Sequence, residues 1–272
     1  MFGFSIMDAG QDIQLHAHPH HFTGDTSRWL LSEYSRADQA AVLDFSIAQY
    51  VNFVGKRPLA FRAGGFGANS DTLELLLERG ISIDCSLMRG WKGCELPDGR
   101  AGVPITMLGM REIPLTPITV LGSKEKPLRT MAIDFNWLPL FALKRTLRRL
   151  KKANAPLVTI LMHSSSLCMR LGARSFRYRR PRLRKLVRMI SFLKGEGYRM
   201  VAVDQLDSWP IWDAPSPKEI SYTEESLFHQ YINLFYRSCI GASFKPKFAI
   251  FLGVNMLLGL AVLTLLIRKW VG

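Results

Sequence analysis

Four of the chain's six histidines fall within six consecutive positions, His16-Ala17-His18-Pro19-His20-His21. They follow directly on Asp12–His16, whose polar–apolar alternation reads as a β-strand. In α/β folds the carboxyl ends of strands open onto the active site, so the position is as informative as the composition. Imidazole nitrogens bind divalent transition metals at about 2.0–2.1 Å, and a catalytic site needs two or three protein ligands with one position left open. The spacing of His16 and His20 brings two rings to one ion where the turn after the strand curls back. His18 is the alternative to His20 as the second ligand, and zinc is the expected metal.

Two further strand ends carry chemistry. Phe61-Arg62-Ala63-Gly64-Gly65-Phe66 follows the short strand Leu59–Phe61. Its glycines allow close backbone approach to a ligand, and Arg62 can hold a carboxylate through two parallel hydrogen bonds. His163 closes the most apolar run of the chain, Leu157–Met162, where it is placed for general acid or base work.

The elements that must position these residues alternate. The spacing of apolar residues predicts a helix over Ser35–Phe53, a second helix capped by Asn69 or Ser70 and stopped by Gly80, and strands at Ile81–Ile83 and Glu112–Leu115. A helix over Leu138–Leu150, the strand Leu157–Met162, a helix face of Leu183, Leu186, Val187, Ile190 and Leu193, and a last strand Met200–Val203 follow. Strands separated by helices argue for an α/β fold with a parallel sheet over residues 1–209. Pro210, Pro215 and Pro217 mark a linker over 210–220. Ser221 and Glu224 then cap an amphipathic juxtamembrane helix over 221–246.

The segment 247–269 is expected to be a transmembrane anchor. Phe248–Ile267 carries no charge, which matches the roughly 20 residues a helix needs to cross a bilayer. Arg237, Lys245 and Lys247 precede it and outnumber Arg268 and Lys269 beyond it, which favours the domain on the cytoplasmic side. An extracellular glycan substrate would argue the reverse. The start carries no signal-peptide pattern. The net charge is +14, and basic residues concentrate between Lys144 and Arg199, densest over Arg177–Lys185. Anionic lipid headgroups are the expected partner; no nucleic-acid partner is expected, because no reading module accompanies the charge. The four cysteines form no C-x-x-C pair, which excludes a zinc ribbon and a dense disulfide framework.

Taken in order, the three strand-end features resemble the polysaccharide deacetylase (NodB-type) family of metal-dependent carbohydrate esterases. His16–His20 resembles its histidine motif, Arg62–Phe66 stands where the family has Arg-x-x-Pro-Tyr, and Leu161-Met162-His163 resembles its closing Leu-x-His. The runs Gly80–Ser86 and Glu112–Thr116 look like this family as well, and the resemblance covers about residues 10 to 207. It implies a distorted, incomplete (β/α) barrel that removes N-acetyl groups from a glycan or lipid-linked sugar. His16 and His20 would hold the metal, the backbone N–H of Phe66 would help receive the oxyanion, His163 would protonate the leaving amine, and Arg62 would orient the base. The family's opening Asp-Asp pair has no counterpart before His16, which reads as an N-terminally incomplete domain. The expectation is therefore a poorly active hydrolase whose activity returns with a restored upstream strand. The second expectation is a catalytically degenerate deacetylase-fold protein that binds a sugar or a membrane surface.

Overall fold

The computed structural model describes residues 7–97, 102–122, 127–172, 175–209 and 212. Its main sheet contains β1 (Leu15–Ala17), β2 (Ala60–Ala63), β3 (Ile83–Asp84), β4 (Ile105–Met107) and β5 (Met110–Glu112), in the order β1-β2-β3-β5-β4. β1, β2, β3 and β5 run parallel, and β4 closes one edge as the antiparallel arm of a hairpin. The fold is thus α/β with a parallel-rich sheet, as the alternation of patterns predicts, and among the described residues the sheet is open.

Local sequence sets each crossover. A single helical turn, α1 (His20–Thr23), follows β1. α2 (Arg36–Val54) starts at Ser35, whose hydroxyl accepts from the Asp38 amide at 3.2 Å, and stops at Gly55, whose φ of 82° a larger residue adopts only with strain. α3 (Ser70–Glu78) starts at Asn69, which accepts from the Thr72 amide at 3.1 Å. Val42, Leu43 and Ile47 of α2 and Leu73 and Leu76 of α3 bury against Leu15, Ala17, Phe61 and Ala63 on one face of the sheet. Two long polar side chains align the first strand pair. Tyr50 donates its hydroxyl to the Ile13 carbonyl at 2.7 Å, and the Gln14 side-chain oxygen accepts from the Leu59 and Ala60 amides at 3.0 and 2.9 Å. They fix the register that sets His16 opposite Arg62.

A second core lies beyond the sheet. The hairpin β6 (Pro117–Gly122) and β7 (Pro127–Ala132) leads into α4 (Leu140–Lys152), and the hairpin β8 (Cys168–Arg170) and β9 (Phe176–Tyr178) leads into α5 (Arg180–Gly195). Ile118, Ile133, Phe135, Leu143, Leu147, Met189 and Leu193 pack together there. Lys185 pins α5 to the start of α4, donating to the Phe135 and Leu138 carbonyls at 2.5 Å each; burial lowers its pKa to about 8.

Two expected strands do not form as ladders. Residues 157–162 make a single parallel bridge, between Asp134 and Leu161, and Thr159 exchanges hydrogen bonds with Thr116 through side-chain hydroxyls. Residues 200–203 pair with no strand. The reason is spatial: a cavity of about 990 Å³ separates both segments from the β1–β2 side of the sheet, lined by His16, Arg62, Val158, Ile160 and Val201 among others. An apolar run without a backbone neighbour stays extended but unpaired. No helix among the described residues is long and apolar enough to cross a membrane. The expected anchor at 247–269, the helix at 221–246 and, apart from Trp212, the linker at 210–220 lie outside the described residues.

Three strand ends are joined by buried polar groups. Asp84 and Glu112 are register partners on β3 and β5, and both are fully buried. Ser86 donates its amide and hydroxyl to Asp84 at 3.0 and 2.7 Å, its hydroxyl accepts from the Ala63 amide at 2.8 Å, and Glu112 accepts from the Leu87 amide at 2.9 Å. The second Glu112 oxygen has no amide or hydroxyl partner, which leaves the Asp84 carboxylate for a protonated Glu112 to serve. Burial first and the neighbouring Asp84 second push the Glu112 pKa well above the usual carboxylate range. The unfolded chain gives up this proton above about pH 4.3 while the folded chain keeps it, so this group's contribution to stability falls as pH rises from there towards the raised folded pKa. Glu112→Gln keeps a donor and an acceptor and removes the titration. Its stability relative to the parent should therefore rise between pH 5 and 7, by up to about 1.4 kcal/mol per pH unit, in urea unfolding. Parallel pH profiles for the two proteins would show that Glu112 is ionised in the fold.

Candidate functional site

His16 sits at the centre of β1 with its ring turned to β2. Its Nδ1 lies 2.6 Å from the Arg62 carbonyl oxygen, which can only accept, so Nδ1 carries the hydrogen and a neutral ring offers Nε2. Its pKa falls to about 4, chiefly through loss of hydration, then through the Arg62 guanidinium, with His18 and His163 adding to it and the Arg62 carbonyl opposing. The residue keeps solvent-exposed surface, so the lost hydration falls on the edge bonded to β2.

His18 is the ring that joins the others. Its centroid is 4.8 Å from that of His16, 5.3 Å from His20 and 5.9 Å from His21, while His20 and His21 stand 4.2 Å apart on α1. Its pKa is lowered by burial, then by His20, His21, Arg62 and His163. Its Nδ1 is buried and has no hydrogen-bond partner. A Cβ at Gly64 would lie 2.4 Å from that nitrogen and 2.8 Å from the Ala17 carbonyl, so only glycine lets the β2 turn close on this ring.

That turn spans Gly64–Phe66 and passes through the left-handed region twice, at Gly65 (φ 60°) and at Phe66 (φ 61°). A non-glycine residue there stores roughly 1–3 kcal/mol, which the surroundings must offset. Trp91 donates its indole N–H to the Gly65 carbonyl at 2.9 Å, and Trp29 packs so closely that a Cβ on Gly65 would meet its ring at 2.3 Å. The Arg62 guanidinium is 5.7 Å from the Phe66 ring centre. Arg62 loses hydration and is favoured in charge by Cys85 and Asp84, but no carboxylate among the described residues forms a salt bridge with it.

His163 follows the bridge at Leu161 and adds the smallest of the contributions that lower the pKa of His16 and His18. Beside it lies Asp134, which is buried, accepts from the Asn136 amide at 2.6 Å, and has its pKa raised by burial and lowered in part by His163. Its signal in the sequence is its position, an acid directly after the apolar Met131–Ile133. Glu112 opens an expected strand, and Asp84 falls in a run quoted for the family resemblance.

The donors suit a divalent ion in their chemistry. His16 and His18 are held neutral, the first has its tautomer fixed by a backbone carbonyl, and the second presents an orphaned buried nitrogen. They supply two rings; no group of three His, Cys, Asp or Glu among the described residues is arranged to hold one metal. No protein-family model matches this chain, and no curated protein matches it.

Gly64→Ala is expected to displace the His18 ring and destabilise the fold by about 1–3 kcal/mol through overpacking on backbone and ring. Gly80→Ala, at φ 75° with open space around its Cβ, should cost about 1 kcal/mol and leave the histidine resonances unmoved. Histidine ring NMR and urea unfolding on the two variants check this. Unchanged His18 resonances in Gly64→Ala would show that the turn does not seat on the ring.

Proposed function

We propose that the chain is a metal-dependent hydrolase acting on the N-acetyl group of a glycan or lipid-linked sugar. The observation that carries this reading is the clustering of the His16, His18, His20 and His21 rings at the end of β1, with Arg62 opposite His16 on β2 and the cavity beside them. The fold that goes with it is an incomplete, distorted (β/α) barrel in which residues 157–162 and 199–203 line the side of the cavity opposite the sheet.

In this reading His16 holds a zinc ion together with His18 or His20. The ion supplies Lewis-acid polarisation of the amide carbonyl and acidifies a water molecule. The protein's own groups do the rest. His163 takes a proton from water and delivers it to the departing amine nitrogen, one group serving both steps. The Phe66 backbone N–H, set by the strained turn, faces the developing oxyanion. Burial, with Arg62 adding to it, keeps His16 and His18 unprotonated and so available as ligands. A second reading has its own support. Among the described residues no carboxylate joins the histidines as a third ligand, which favours a catalytically degenerate protein of this fold that binds a sugar.

Acetate release from N-acetylated chito-oligosaccharides, with zinc and with chelator, tests both. Zinc-dependent turnover is expected, with kcat/KM lowered about 10²–10⁴-fold by His163→Ala and restored by none of the other ring substitutions. Turnover that survives His163→Ala would remove His163 from the chemistry. Sugar binding without turnover in the parent chain would establish the second reading.

A further inference from the structure

We infer that the β8–β9 hairpin and the outer face of α5 form a membrane-docking surface that inserts apolar side chains between anionic lipid headgroups. The hairpin stands apart from the main sheet, and its strands pair only with each other. Its side chains are unusually wet for their type. Tyr178 is 73 % exposed, Leu171 60 % and Phe176 57 %. Isolated exposed apolar residues need no explanation, but a contiguous group of them marks an interaction site.

α5 continues the surface. Its inner side buries Met189 and Leu193 in the second core. Its outer side carries Leu183 and Val187, one turn apart and both exposed, beside Arg180, Arg184 and Arg188, spaced four residues apart along an adjacent stripe. The Arg179 amide bonds to the Leu167 carbonyl at 2.8 Å and joins the helix start to the foot of the hairpin. No Asp or Glu occurs between Asp134 and Glu196. None of Arg177, Arg180, Arg184 and Arg188 has a carboxylate partner among the described residues.

The chemistry of the patch selects its partner. Arginines alone would suit any polyanion, nucleic acid included. Base stacking uses aromatic faces; this patch mixes Leu171, Leu183 and Val187 with its aromatics, and aliphatic side chains gain nothing from bases but about 0.8 kcal/mol per buried CH₂ from acyl chains. An anionic bilayer satisfies both components at once, with the arginines at headgroup depth and the apolar residues below them. The inference does not depend on the hydrolase reading.

Hydrogen exchange on the full chain tests it, since the readout is local to residues 167–188 and separate from any effect of the apolar run at 248–267. The comparison uses phosphatidylcholine vesicles with and without phosphatidylserine, and a Phe176→Ser/Tyr178→Ser variant. Slowed exchange at the hairpin and α5 with the anionic vesicles alone, and about tenfold more lipid needed for the variant, is the expected result. The same protection from single-stranded RNA, equal in parent and variant, would overturn the inference in favour of a nucleic-acid surface. Protection with neither, or an unaffected variant, would overturn it outright.

Discussion

Ser86, Asp84 and Glu112 form the contact on which the rest of the sheet rests. Strands β2, β3 and β5 are two to four residues long, too short for their ladders alone to hold a parallel register. What joins their carboxyl ends is a run of buried polar groups: the Ala63 amide to Ser86, Ser86 to Asp84, and beside Asp84 its register neighbour Glu112, which accepts from the Leu87 amide. A network of this kind is costly when any member is unpaired and specific when all are satisfied. It fixes where β2 ends, and therefore where the Gly64–Phe66 turn begins. Every residue of the candidate site on that turn inherits its position from the network.

The same polar layer sets the charge balance above it. Burial raises the pKa of both Asp84 and Glu112, and Asp84, which favours the charged form of Arg62, lies on β3 rather than among the histidines. Arg62 therefore faces the imidazoles as an incompletely neutralised cation. It adds to the burial that keeps His16 and His18 unprotonated, and at the same time disfavours a second cation among them. The two effects oppose each other. Ligand availability is gained, and metal affinity is reduced relative to a site with a carboxylate in its first shell.

How much of this was legible depended on whether the signal was local. The α/β alternation, the helix start at Ser35, the cap at Asn69 or Ser70 and the strand-end positions of His16 and Arg62 follow from spacing and side-chain type, and the structure has them within one to three residues. The apolar run at 157–162 was read as a strand because it is apolar and unbroken, yet a strand also needs a neighbour, and a cavity occupies that place. The barrel expectation depended on the same missing pairings. The hairpins β6–β7 and β8–β9 escaped notice because neither alternates cleanly: Thr119 and Leu121 flank a register shift, and β9 is exposed along its whole length. Glu112 reads as an ordinary strand acid, since the sequence carries no sign that its side chain is buried against Asp84.

The site and the basic hairpin are linked by chain connectivity rather than by contact. His163, the turn Ser164–Ser166 and β8 are consecutive, and the amide of Ser166 bonds back to the His163 carbonyl at 2.9 Å. A force on the hairpin therefore reaches His163 through about four residues of backbone, whereas His16 and Arg62 are held by the sheet. Hydrogen bonds in such a peripheral hairpin open at lower free energy than those of a central sheet. His163 is also held from its other side, because the Leu161 amide bonds to the Ile133 carbonyl at 2.8 Å and its carbonyl accepts from the Phe135 amide at 2.9 Å. The second core therefore steadies His163 against motion of the hairpin.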